Sequence, residues 1–271
     1  DTRALVKFIT SKKGAHKSVI TTSSKAPALE DFKKEELICN RLDLVSSKES
    51  SINLIPGNNP IVLIDYGCKT AIVDNLKNLG FPLVVVGHKA KASEVLDFKP
   101  RMIFLSNGPG DPRSYKPQVE EIKKLLASQI PIRGICLGHQ LITLALEAPI
   151  IKLPFGQRGV NHPCIEHETG KVIITSQNHG YAASKSELAK KFSPTNNILG
   201  KELFISYTSL FDNSVEGISS TDHFLKTVAR WVDANDAAAI LLGDRVTNAT
   251  RALPLQAAKD LGINPLRIMV A

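Results

Sequence analysis

The chain lacks long apolar runs, and none approaches the roughly 20 residues needed to cross a bilayer. Its first residues, DTRALVKF, lack the basic start, apolar stretch and small-residue cleavage site of a secretory leader. Together these two absences predict a cytoplasmic location. Cysteine is scarce too. The four present, Cys39, Cys68, Cys136 and Cys164, show no C-x-x-C spacing, which argues against a zinc knuckle or a disulfide framework. No Gly-Lys-Ser/Thr follows the Gly-Pro cluster at 107–112, so that turn is not a phosphate loop. Basic residues exceed acidic ones, for a net charge of +8, yet the lysines, among them Lys7, Lys69, Lys123 and Lys190, are spread along the chain without interleaved aromatics. A nucleic-acid binder gathers its charge into one stripe. This distribution predicts a solvated surface with room for an acidic partner. With 271 residues, 43% hydrophobic, the chain has enough material for one or two domains with a sizeable core.

What is present is an alternation. Apolar runs at 61–67, 83–86 and 102–106 are separated by helical patterns at 69–79, 92–97 and 116–127. Continuous apolar strands between helices predict an α/β fold, a parallel sheet flanked by helices on both faces. Such sheets bind ligands beyond the carboxyl ends of their strands. After Leu146 the pattern shifts to strands near 150–153, 171–176 and 203–208, which suits an antiparallel extension. Ahead of the main domain, Leu5, Phe8 and Ile9 recur at helical spacing, and 18–20 is extended. Residues 21–59 are rich in Ser, Lys and Glu and read as a linker, with a helical piece at 28–38 and a turn-rich boundary from Pro56 to Pro60. The expected organisation is 1–59 as a partial N-terminal domain and linker, 60–228 as the main domain, and 229–271 as a divergent tail.

The stretch that organises the chain is PIRGICLGHQLITLAL, 131–146, read as a buried strand, a sharp turn at Cys136 and an amphipathic helix. Gly134 and Gly138 flank the cysteine at the spacing of a nucleophile elbow. A thiol at a helix N-terminus meets the positive end of the helix dipole, which favours the thiolate. The backbone N–H of Leu137 then points where an oxyanion would form. Taken alone, the pattern fits a core cysteine between strand and helix equally well.

GICLGHQ resembles the nucleophile motif of class I glutamine amidotransferases, in particular the small subunit of carbamoyl phosphate synthetase. DTRAL at the start, LSNGPGDP at 105–112 and SQNHGY at 176–181 match in the same order, so the resemblance covers residues 1 to about 228. It implies a class I glutamine amidotransferase-like sheet with a remnant of the small subunit's N-terminal domain, and DTRAL would lie well inside that larger domain. Cys136 would attack the side-chain amide of glutamine, form a thioester and release ammonia. Gly108 and Leu137 would serve the oxyanion. Gly108, Gly110, Leu137, Gln140, Asn178, Gly180 and Tyr181 would line the glutamine pocket, with Tyr181 where the family more often has Phe. The partner would be a large synthetase subunit that uses ATP and bicarbonate, leaving this chain without a cofactor of its own. His139 is expected to be structural. Asn161-His162-Pro163-Cys164 with His167 invites a metal reading, but no second cluster completes four ligands, and the family carries a similar N-H-P without metal.

Half of the triad is missing from this text. A cysteine amidase needs a base for the thiol proton and a carboxylate to orient that base. In the family these arrive as Q-x-H-P-E after the last strand. Here SLFDNSVEGISSTDHFLKTV ends at Val228 and continues ARWVDANDAAAILLGDRV, with no histidine beyond His223. The base would fall near Trp231, eight residues from His223, or roughly 26 Å along an extended strand. Asp233 falls near the expected carboxylate, but without a histidine it has nothing to orient. A fragment or frameshifted product is the simpler expectation for the tail, and a replaced C-terminus is its rival. For function, the pattern predicts an impaired glutaminase. The alternative is a silent subunit that binds glutamine or the partner.

Overall fold

The computed structural model describes residues 1–12, 22, 28, 42–222 and 225–228. Helix α1 spans Thr2–Ser11, and the Asp1 side chain caps it by accepting the N–H groups of Arg3 and Ala4. None of its residues is buried. The strand expected at 18–20, the helical piece at 28–38, and the tail lie outside the described residues.

The main body follows in chain order as α2 (Leu42–Val45), β1 (Ser51–Ile55), β2 (Ile61–Asp65), α3 (Thr70–Asn78), β3 (Leu83–Gly87), α4 (Ala92–Asp97), β4 (Met102–Leu105), α5 (Lys116–Ala127), β5 (Ile132–Ile135), α6 (Leu137–Ala145), β6 (Ile150–Glu166), β7 (Val172–Ala183), α7 (Lys185–Ala189), β8 (Leu203–Ser209), β9 (Val215–Ser220) and β10 (Leu225–Val228). They form one sheet in the order β1-β3-β2-β4-β5-β10-β9-β7-β6-β8, with β8 also paired to β9. Strands β3, β2, β4, β5 and β10 run parallel, while β1 and the strands beyond β10 pair antiparallel.

Alternation along each parallel strand sends side chains to two cores. Val62, Ile64, Val84, Val86, Ile103 and Leu105 pack under α4, α5 and α6. Ile61, Leu63, Leu83, Val85 and Phe104 face the other way, against Ile72 and Leu76 of α3. Burial on both faces explains why these strands read as unbroken apolar runs.

The stretch read as linker holds two pieces of the main body. Strand β1 pairs with the β3 edge, and Ile52, Leu54 and Ile55 pack against the second core. Leu42 of α2 is fully buried in the first core. Short alternation in S-I-N-L-I, set among Ser, Lys and Asn, hid that edge strand. Asp65 fastens the segment: its carboxylate accepts the N–H groups of Ser47, Gly67 and Cys68, while Ser46 Oγ donates to the Asp65 carbonyl. Among the described residues no helix is long and apolar enough to cross a membrane.

Candidate active site

Cys136 sits at the carboxyl end of β5 as the N-cap of α6, with φ 52° and ψ −106°. A non-glycine residue in that region costs on the order of 1–3 kcal/mol and persists only where its surroundings impose it. The surroundings here are glycines in close packing. A Cβ on Gly134 would come within 2.8 Å of Ile142 Cδ1 and 2.9 Å of the Gly138 carbonyl carbon, and one on Gly138 within 2.4 Å of the Leu105 carbonyl oxygen. Backbone hydrogen bonds complete the clamp. Cys136 N–H donates to the Val228 carbonyl at 2.8 Å, and Gly138 N–H to Ser106 at 3.1 Å. The elbow expected from sequence is therefore present, and it is wedged between β4 and the end of β10.

The two N–H groups expected to serve an oxyanion, those of Leu137 and Gly108, both lie near enough to the Cys136 sulfur to favour its thiolate. Gly108 has no room for a side chain, since a Cβ there would lie 2.3 Å from the Tyr66 carbonyl oxygen and 2.7 Å from Leu137 Cδ2. Its loop is held by Asn107, whose Oδ1 accepts Lys69 N–H and whose Nδ2 donates to the Gly67 carbonyl. Two positions on, Gly110 adopts φ 92°, a left-handed conformation that L side chains rarely enter.

Strand β7 carries the other residues expected to line the pocket. Gln140 Nε2 donates to the Tyr181 carbonyl at 3.0 Å, tying α6 to β7. The Tyr181 side chain lies beside Asp111 of the Gly-Pro loop, and the Arg113 guanidinium lies 5.4 Å from its ring centroid. Asn178 stands opposite Arg158 of β6, and its Oδ1 accepts a hydrogen bond from that guanidinium. Gly180 lies beneath the same arginine, with 3.9 Å between a built Cβ and Nη2.

His139 is fully buried, with Nδ1 2.7 Å from Thr227 Oγ1, as a structural histidine should be. Burial pushes its pKa down to about 3, so its ring stays neutral. His179 is buried as well. Its Nδ1 lies 2.9 Å from the Tyr181 carbonyl, and its Nε2 lies 3.0 Å from Gln177 Oε1 and 3.2 Å from Glu216 Oε2. All three neighbours can accept a hydrogen bond, so both ring nitrogens are engaged within the protein. Both nitrogens are thus committed, and neither offers a lone pair to Cys136. His162, Cys164 and His167 also have protein neighbours: the Phe211 ring, Thr175 and Gln177, and Thr208 respectively. Among the described residues no group of three or more His, Cys, Asp or Glu side chains is placed to hold a metal ion.

Two site residues escaped the sequence pattern. Arg158 sits in an ordinary-looking ribbon, and only the β6–β7 register sets it on Asn178. Glu216 lies in β9, far along the chain from Cys136, yet its charge acts on the thiol.

The thiol itself departs from expectation. A helix N-terminus favours the thiolate, and the Leu137 and Gly108 N–H groups pull in that direction. Burial outweighs them, helped by the Glu216 carboxylate, and pushes the Cys136 pKa up to about 11. At neutral pH the protonated form of this half-buried thiol predominates. Cys68 is pushed further, to about 12, and Cys164 is fully buried. Iodoacetamide should therefore label Cys136 before Cys68 and Cys164. Because the thiolate is the reacting form, the rate should climb about tenfold per pH unit and level off only near 11. A plateau near pH 8, measured by peptide mapping, would contradict the burial argument.

The fold is thus an α/β sheet with a strained cysteine elbow at a strand's carboxyl end and two backbone N–H groups near its sulfur. The pattern of the class I glutamine amidotransferases matches residues 62–227, and the chain belongs to that family. Its curated relatives include the carbamoyl phosphate synthase small chain of Listeria innocua serovar 6a, 37% identical over 87% of this chain and 62% of the relative. Another is the small chain of Archaeoglobus fulgidus, 42% identical over 69% of this chain and 49% of the relative. The pyrimidine-specific small chain of Lactiplantibacillus plantarum is 35% identical over 86% and 61%. The chain thus spans about three fifths or less of the length of these relatives. Among solved structures, a putative GMP synthase component from Thermoplasma acidophilum superposes with a TM-score of 0.52. It is 19% identical and covers 65% of this chain and 85% of that one, which supports the fold.

Proposed function

We propose that this chain is a glutamine-hydrolysing subunit of a carbamoyl phosphate synthase. The observation that carries the reading is the strained elbow cysteine at the start of α6, with the Leu137 and Gly108 N–H groups near enough to act on its sulfur. In the proposed reaction Cys136 attacks the glutamine amide carbon, the two N–H groups stabilise the oxyanion, and collapse to a thioester releases ammonia. Gln140, Asn178, Gly180 and Tyr181 would hold the amino-acid portion beside the Gly108–Gly110 loop. The ammonia would pass to a large subunit that uses ATP and bicarbonate to make carbamoyl phosphate for pyrimidine and arginine synthesis. This chain would need neither metal nor cofactor, and it would work in the cytoplasm.

Two observations favour a second reading, a catalytically silent subunit that binds glutamine or the partner. No His-Pro-Glu follows β10, and the thiol is held mostly protonated.

Calorimetry with glutamine tests the pocket that both readings share. Binding is expected in the chain and should be lost in Gly110→Val, because a β-branched residue cannot hold φ 92°. Unchanged affinity in that variant would place the pocket elsewhere.

A further inference from the structure

Arg158 is exposed on β6, directly opposite Asn178 on β7. Its Nη1 donates to Asn178 Oδ1. The rest of its guanidinium has no protein partner among the described residues. Glycines on both strands make space for it. A Cβ on Gly156 would lie 3.4 Å from Arg158 Nε, and one on Gly180 would lie 3.9 Å from Nη2. Because Asn178 turns its oxygen to the arginine, its amide N–H₂ is left as a donor. The pair therefore presents two donor groups and a positive charge beside the proposed pocket, a set that matches a carboxylate and repels an ammonium. The nearby Arg113 is less suited, since its Nε and Nη2 are already engaged by the Asp111 carboxylate.

The charge of Arg158 also reaches the reacting group, where it favours the Cys136 thiolate against burial and Glu216.

We propose that Arg158 recognises the carboxylate of the substrate, which is the α-carboxylate of glutamine if the function proposed above holds. Glutamine carries that carboxylate a few bonds from the amide carbon that Cys136 would attack. A planar fork braced by Asn178 would fix the amino-acid end and leave the amide free to enter the elbow.

The test compares L-glutamine with L-glutaminamide, which keeps the side-chain amide and lacks the carboxylate. Binding is measured by calorimetry on the full chain and on Arg158→Met and Arg158→Lys. The parent should prefer glutamine, and Arg158→Met should weaken glutamine by about tenfold or more, leaving glutaminamide unchanged. Arg158→Lys, which keeps the charge without the fork, should recover part of the loss. Equal weakening of both ligands would mean that Arg158 merely braces the ribbon, and no change in either would remove it from the site.

A second readout needs no glutamine. The ratio of Cys136 alkylation by iodoacetate to that by iodoacetamide should fall in Arg158→Met, and an unchanged ratio overturns the proposal. A parent chain that binds neither amino acid, yet loses its iodoacetate preference in Arg158→Met, would reject the glutamine reading and keep the carboxylate-recognising arginine.

Discussion

A steady-state glutaminase assay on this chain is expected to read a rate at least about a hundredfold below that of a relative with an intact triad. Positioned proton transfer contributes roughly 10²–10⁴-fold to such reactions. The structure locates where it would have to come from. The Val228 carbonyl accepts the Cys136 N–H at 2.8 Å, so the chain leaves β10 beside the nucleophile. Whatever follows Val228 starts from that point, and the sequence there runs Ala229-Arg230-Trp231 with no histidine after it. His179 is no ready substitute, because both its nitrogens face acceptors. Leaving-group protonation should suffer most, since an amide anion is a far poorer leaving group than ammonia. Placing a Q-x-H-P-E segment directly after Val228 should restore the rate. Turnover by the unmodified chain at the level of an intact relative would show that another residue supplies the proton.

Glu216→Ala should destabilise the fold by about 1–3 kcal/mol, the cost of leaving buried hydrogen-bonding groups without their partner. The Glu216 carboxylate is fully buried, accepts Ser214 Oγ–H at 2.8 Å, and faces His179 Nε2 at 3.2 Å. Through His179 it supports β7 between Asn178 and Gly180, the stretch that carries the proposed pocket. Glu216→Gln keeps the shape and most hydrogen bonds, so its loss should be smaller. Urea unfolding of the two variants decides the matter, and an Ala variant as stable as the parent would mean that the pair contributes nothing. A separate effect has the opposite sign. Glu216 disfavours the Cys136 thiolate, so removing its charge should lower the thiol pKa and speed alkylation in the Gln variant.

The parallel half of the fold was readable because each of its strands is buried on both faces. Ile61 to Ile64 or Met102 to Leu105 can then be nothing but apolar, and the intervening helices show their stripes plainly. Strand β1 was not readable. An edge strand with one modest apolar alternation, set in a Ser- and Lys-rich stretch, carries too little signal until the β3 edge is there to accept it.

The elbow was also local information. Gly134, Cys136 and Gly138 sit within one turn of chain, and sterics alone oblige small residues there. By itself, then, the sequence determined the α/β architecture, the cysteine at a strand's carboxyl end and the glycine loops that can approach it. The tertiary structure decided the rest. Whether Cys136 is charged depends on the balance between burial, two N–H groups, Glu216 and Arg158, which come from four separate stretches of chain. Whether His179 is a base depends on Gln177, Tyr181 and Glu216 closing around its ring. Electrostatic energies in a poorly screened interior follow distance in space, and residues far apart along the chain acquire those distances only when the sheet assembles.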